Sequence, residues 1–194
     1  MPNKLAFLGP TGTHSEQAAI IYAPDSTKIA CASIPLVAAK VESGEAEKGI
    51  LPIENSVEGS VNLTLDLLIH DSSLSISHEI VLPITHSMIV KKGTSFSNIN
   101  FIYSHPQALA QCRNFLSENL PDAVEIASMS TASAVKEMLQ KGENAAAIGT
   151  ERAGSIYGAE TIAHQIEHNP NKVTRFVILA PNDSDVTGDD KTSV

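Results

Sequence analysis

Short apolar runs alternate with amphipathic stretches along most of this chain of 194 residues. Lys4 to Leu8 predicts a strand, followed by GPTG and by Thr13-His14-Ser15-Glu16, a T-x-x-E capping box that opens an alanine-rich helix. A strand near Lys28 to Ser33 precedes a helix from about Leu36 to Ser43, stopped by Gly44. Gly49 to Ile53 predicts a third strand, which leads through ENSVEGS into a helix with apolar positions at Leu63, Leu67 and Leu68. Ser75 to Val90 breaks the rhythm. It is a long extended stretch interrupted by Pro83, suited to cross from one subdomain to another. The alternation then resumes with a strand at Asn100 to Tyr103 and an S-x-x-Q capping box at Ser104-His105-Pro106-Gln107, with proline in the first helical turn. Val124 to Ser128 and Ala145 to Ile148 predict strands on either side of a helix from Thr131 to Gln140, which ends near Gly142. The closing strand, Val173 to Ala180, follows the turn-rich NPNK.

Strands and helices in this order predict an α/β fold with mainly parallel sheets. Two such sets separated by a crossing predict two lobes, with a ligand cleft between strand C-terminal ends and helix N-termini. The expected first lobe is residues 1–76 with 169–182, the second is 77–168, and 183–194 is a linker.

Composition narrows the partners. Apolar residues make up 42% and charged residues 18%, enough for a packed core and unlike a disordered chain. The net charge of −9, from 13 Lys+Arg and 22 Asp+Glu, disfavours nucleic acid and anionic membrane surfaces. MPNKLAFLGP is too short an apolar run for a signal peptide, and no stretch approaches the roughly 18 apolar residues of a membrane span. Cys31 and Cys112 form no C-x-x-C pair and fit reduced thiols in a cytoplasmic protein. If the ligand is an anion, backbone N–H groups and a few local cations must capture it against the overall field.

Several segments could carry chemistry. GPTGTHSE, with Thr11 and Gly12, reads as an anion site at a helix N-terminus or as a tight strand-to-helix turn. It lacks the lysine and spacing of a phosphate loop and is not G-x-G-x-x-G. LPIENSVEGSV sets Glu54, Asn55 and Ser56 at a strand's C-terminal end, where a carboxyl, an amide and a hydroxyl could hold a polar ligand or move a proton; a solvated loop is the plainer reading. In SHPQALAQC, capping explains Ser104 and Gln107, which leaves Gln111 as the better ligand candidate and His105 as a possible acid. STASA, with Thr131, is a second hydroxyl-rich helix start. His164 and His168 are spaced i, i+4 without a third ligand, so no metal site is expected. In VTRF, Thr174 and Arg175 stand at the head of the apolar run Phe176-Val177-Ile178-Leu179, where an arginine is costly unless an anion meets it.

Taken together and in order, GPTGTHSE, PIENSVEGSV, SHPQALAQC, STASA and VTRF resemble the prephenate dehydratase catalytic domain over residues 4 to 180. The resemblance implies a two-lobed fold like that of periplasmic binding proteins. It also implies conversion of prephenate to phenylpyruvate, on the route to phenylalanine, without metal or cofactor. It places the essential threonine at Thr174, the active-site Glu-Asn pair at Glu54 and Asn55, and the serine and glutamine at Ser104 and Gln111. On this reading Thr174 hydrogen-bonds the leaving hydroxyl, Glu54 is a possible proton source, and Arg175 grips the pyruvyl carboxylate. Phe176 borders the ring, and Thr11, Gly12, Ser56, His105 and Thr131 complete the substrate-binding set. Lys172 stands where the family often has asparagine, and His14 where it commonly has an aromatic. The family usually continues into a phenylalanine-binding ACT domain, and KTSV resembles its start. The chain is therefore expected to escape phenylalanine inhibition, and the full-length protein is expected to be a dimer or tetramer. Two rivals stay open: an arogenate dehydratase on the same scaffold, and a module that binds an anionic metabolite without turnover.

Overall fold

The computed structural model describes residues 3–142, 144–169, 171–183, 188 and 190. The first elements are β1 (Lys4–Leu8), α1 (His14–Tyr22), β2 (Thr27–Cys31), α2 (Ile34–Glu42), β3 (Lys48–Asn55) and β4 (Gly59–Ser60). Next come α3 (Asn62–Asp66, continued by one π turn), β5 (Ser75–Pro83), β6 (Ser87–Val90), β7 (Phe101–Ser104), α4 (Pro106–Gln111) and α5 (Arg113–Asn119). The chain closes with β8 (Val124–Ala127), α6 (Thr131–Lys141), β9 (Ala145–Gly149), α7 (Glu151–Ile156), β10 (Glu160–Ala163) and β11 (Val173–Ala180).

Two sheets form two lobes. One runs β2-β1-β3-β11-β5, with β4 on the end of β3, and the other runs β10-β6-β9-β7-β8. The two-lobed α/β expectation holds, but the sheets are mixed. Four pairings are parallel (β1 with β2 and β3, β7 with β8 and β9) and the other five are antiparallel. Parallel pairs need helical crossovers, and those exist only where α1, α2, α4–α5 and α6 stand between strands. The outgoing and returning strands, β5 and β11, run in opposite directions and pair from Val173↔Pro83 to Ala180↔Ser75.

That pairing also moves the lobe boundary. β5 lies wholly in the first sheet, so the crossing comes after Pro83 rather than at residue 77. Pro83 has no N–H to extend the ladder, which makes it a natural last residue of a strand. The tie continues one step further, with Ile84 N donating to Lys172 O at 2.8 Å. Residues 183–194, the expected linker and ACT-domain start, lie almost wholly outside the described residues.

Each sheet buries both faces. Leu5, Phe7, Ile50, Phe176 and Ile178 pack with Ala18 and Ala19 of α1, while Ala6, Leu51, Val177 and Leu179 pack with Val37 and Val41 of α2. In the second lobe Met88, Ile102 and Ile148 meet α4 and α5, while Ile89, Tyr103 and Ala147 meet α6. No helix among the described residues is long and apolar enough to cross a membrane.

The turn after β1 joins the lobes. Thr150 Oγ1 donates to Gly12 O at 2.6 Å, and Tyr157 Oη to Thr11 O at 2.7 Å. Glu16 accepts from Arg152 Nε at 2.7 Å, Arg152 Nη2 at 3.1 Å and Gly12 N at 2.8 Å. Gly12 has φ +90, and a Cβ there would sit 2.9 Å from Ala153 Cβ, so only glycine permits this approach. The capping box is half formed. Thr13 Oγ1 accepts from Glu16 N at 3.4 Å, but the Glu16 carboxylate goes to the second lobe.

Candidate active site

A cavity of ≈ 280 Å³ opens between the lobes. The first lobe lines it with Thr13, His14 and Ser15 at the start of α1, Pro52 and Asn55 on β3, Glu58 and Val61 beyond β3, and Thr174 and Phe176 on β11. Ile84 and His86 come from the crossing, and His105, Gln107, Ala108, Gln111, Ser130 and Thr131 from the second lobe.

Strand alternation decides which β11 residues face the cleft. Successive side chains point to opposite faces, so Thr174 and Phe176 share the cleft face and Arg175 cannot. Arg175 instead faces Glu54, Nη1 to Oε2 3.5 Å, and Glu79, Nε to Oε2 3.5 Å. The anion it meets is the protein's own. The register between β11 and β3 jumps from Arg175↔Glu54 to Phe176↔Pro52, a bulge that leaves Ile53 unpaired. The extra residue resets the alternation so that Pro52 and Asn55 both reach the cleft, while Ile53 is buried in the core on the α2 side.

Asn55 orients Thr174. Val57 N donates to Asn55 Oδ1 at 2.9 Å, which leaves Nδ2 to donate to Thr174 Oγ1 at 3.2 Å. With its oxygen already accepting, the Thr174 hydroxyl has its hydrogen free to donate into the cleft. Ser56 serves the backbone: its N donates to Val173 O at 3.0 Å, and its Oγ accepts from Val173 N at 3.0 Å. That clasp fixes where β11 begins.

On the opposite wall, Gln111 Oε1 lies 2.9 Å from His86 Nε2. The Gln111 backbone carbonyl is gripped by His168, from N at 3.0 Å and Nδ1 at 2.6 Å. Two of the histidines shed charge readily. Burial first, and then the neighbouring His86, hold His14 down to about 4, against the Thr85 carbonyl and the charge of Glu167. Burial also lowers His86, helped by the charge of Lys172 and opposed by Gln111. Cys112, next to Gln111, is pushed up to about 12 chiefly by burial, which leaves an inert thiol. Lys172 itself is buried, at 5% exposure.

Of the residues expected from the sequence, the cleft gathers Asn55, Gln111, Thr174, Phe176, His105 and Thr131. Glu54, Ser104, Arg175, Thr11, Gly12 and Ser56 are not in its lining. Ser104 is fully buried and donates from Oγ to Ile148 O at 2.7 Å. Because β7 runs through Ser104, the N-cap of α4 falls on His105, whose Nδ1 accepts from Gln107 N at 3.3 Å. His164 follows β10 rather than sitting on a helix, and it pairs with Glu151. His86 and Glu58 were not singled out as site residues by sequence reasoning. The one signal for His86 is a histidine three residues past Pro83, at the crossing itself.

A family model for prephenate dehydratase matches residues 5–184. The bifunctional chorismate mutase/prephenate dehydratase of Aquifex aeolicus is 39% identical over 192 residues, covering 98% of this chain and 52% of that protein. The chain spans about half the length of the curated relatives it matches. A prephenate dehydratase from Arthrobacter aurescens, solved with L-Phe, superposes with TM-score 0.85 at 36% identity, covering 91% of this chain and 60% of that one. GqqA, described as a novel type of quorum quenching acylase, superposes with TM-score 0.84 at 25% identity, covering 93% of this chain and 65% of that one.

Proposed function

The chain belongs to the prephenate dehydratase family, and on that premise we propose that it converts prephenate to phenylpyruvate, CO2 and water. The observation that carries the proposal is the Asn55–Thr174 hydrogen bond, which presents a hydroxyl donor to the cleft across from Gln111. In this reaction the bond to the ring carboxylate breaks, and its electron pair moves through the ring, aromatising it. The ring hydroxyl is expelled from the far carbon, and a proton converts it to water. Thr174 donates to that leaving oxygen as charge develops on it. Phe176 borders the ring, and the NH2 groups of amides and the cleft hydroxyls orient the carboxylates.

Anion capture falls to neutral donors, because among the described residues no lysine or arginine lines the cleft. α1 and α6 bring their N-terminal turns from opposite lobes, with Ser15, Ser130 and Thr131 at the cleft wall. Arg175 and Glu54 act one layer out, holding the end of β11 against β3. No metal or cofactor enters the scheme. We place the protein in the cytoplasm, consistent with two buried free thiols. We propose that it assembles as a homodimer or homotetramer.

Incubation with prephenate and with arogenate, following phenylpyruvate and phenylalanine, tests the reading. Phenylpyruvate from prephenate supports it, and phenylalanine from arogenate alone would reassign the substrate. No turnover of either, with tight phenylpyruvate binding, would favour a binding module. Among the described lining residues no hydroxyl is hydrogen-bonded to a histidine, so the cleft holds no preassembled hydroxyl–histidine nucleophile for acyl transfer.

A further inference from the structure

The carboxamide of Gln111 can stand in either of two orientations, and the choice decides whether it offers the cleft a donor or an acceptor. The carboxylates of a dianionic substrate are served only by the donor. His86 is placed to make the choice. Its Nε2 lies 2.9 Å from Gln111 Oε1, and both side chains are buried, at 3% and 5% exposure. The histidine is anchored on both sides, its N donating to Glu167 Oε2 at 2.8 Å and its O accepting from Ile166 N at 3.0 Å.

We propose that His86 is a positioning residue, donating Nε2–H to Gln111 Oε1 and so turning the Gln111 NH2 group toward the cleft as an anion-binding donor. The proposal rests on the dehydratase reading for its consequence, but not for its geometry.

The tautomer follows from what surrounds the ring. Burial and the charge of Lys172 disfavour a second ring proton, so the imidazole carries one. His86 Nδ1 is buried and has no hydrogen-bond partner among the described residues. A proton there would leave an orphaned buried N–H, which native structures tolerate less well than an unfilled acceptor. It would also turn Nε2 into an acceptor facing a carbonyl oxygen. The proton therefore belongs on Nε2. The groups that face the ring agree with this. His14 meets it edge-on at 5.6 Å with its own Nε2 directed to the Thr85 carbonyl, and Glu167 is taken up by the His86 backbone.

Histidine NMR with ¹⁵N resolution on the ligand-free chain tests the geometry directly. Nε2 should be protonated and Nδ1 bare; the reverse assignment overturns the proposal. Kinetics test the consequence. His86→Leu should lower kcat/KM by up to about 100-fold, as expected when a substrate-orienting group swings loose. His86→Gln, which carries an N–H near the position of Nε2, should recover most of that loss. In a Gln111→Ala background, His86→Leu should cost less than about threefold more, since no amide is left to orient. Full additivity of the two substitutions would overturn the proposal. If the wild-type chain turns over neither prephenate nor arogenate, the dehydratase reading fails while the NMR assignment still decides the orientation of Gln111.

Discussion

Thr174→Val separates the roles of the hydroxyl from the packing around it. Valine has nearly the shape of threonine, and at 7% exposure the site keeps its volume. Two interactions go: the acceptor for Asn55 Nδ2 at 3.2 Å, and the donor to the cleft. The first matters modestly, because Asn55 borders the cleft and water can replace its partner; the loss is about 0.5–1.5 kcal/mol of stability. The second acts on the reaction. Removing one donor aimed at developing charge costs roughly 10²–10³ in kcat, or about 3–4 kcal/mol in the barrier. Thr174→Ser keeps the donor and should stay within about tenfold of wild type. The assay is initial-rate phenylpyruvate formation across a prephenate series, with thermal melting to verify folding. A Thr174→Val enzyme that melts normally and retains its kcat would refute the reasoning, since no other consequence of the Asn55–Thr174 geometry could then be catalytic.

Gly12→Ala should destabilise the chain by about 2–5 kcal/mol, combining left-handed backbone strain with the overlap against Ala153, and should lower the melting temperature by more than roughly 5 °C. Arg175→Ala should change KM by less than about threefold, because its ion pairs are half-exposed and directed away from the cleft; a hundredfold rise would restore the carboxylate-binding role expected from the sequence. Burial raises the Glu16 pKa, but hydrogen bonds from Arg152 and Gly12 outweigh it and hold the carboxyl below its ordinary 4.5. Stability from this group is thus full above that value and lost as pH falls through the folded pKa, so the melting advantage of wild type over Glu16→Gln should shrink progressively as pH falls below the ordinary 4.5. With a net charge of −9 and no lysine or arginine lining the cleft among the described residues, KM for a dianion should fall as ionic strength rises from about 0.01 M to about 0.15 M, where screening shortens from about 30 Å to about 8 Å; a rising KM would reveal a cation in the site.

Much of the fold can be read along the chain because its strands are uninterrupted apolar runs. β11 spans Val173–Ala180 as its pattern predicts, and β1 spans Lys4–Leu8. The faces were legible in principle: alternation alone forbids Thr174 and Arg175 from sharing one. The bulge at Ile53 was not legible, since it exists only in the register between β3 and β11. Without it, Asn55 and Pro52 would point to opposite faces. The GPTG turn misleads for a similar reason. Its partners Thr150 and Arg152 lie 138 and 136 residues from Gly12 and Glu16, beyond any local pattern. Ser104 shows the limit of capping logic: one more residue of strand moved the cap to His105 and sent the serine into the core. His86 was hidden because an extended crossing carries no motif.

The arrangement of charge has a chemical logic of its own. A decarboxylation needs its carboxylate to become neutral CO2, so any cation that holds the carboxylate tightly stabilises the starting state more than the transition state. The developing charge at the leaving hydroxyl makes the opposite demand. In the proposed reaction, a cleft whose polar lining is mostly hydroxyls, amides and imidazoles, with Glu58 the carboxyl among its described lining residues, meets both, since such donors can be aimed at one oxygen without a field that pins the other end. Two of the three cleft histidines are held neutral by burial, and the nearest arginine on β11 is turned outward and matched to Glu54 and Glu79. Burial first, and then the charge of the buried Lys172, disfavour a second proton on the His86 imidazole. That positive charge therefore bears on the protonation state of an imidazole at the cleft wall.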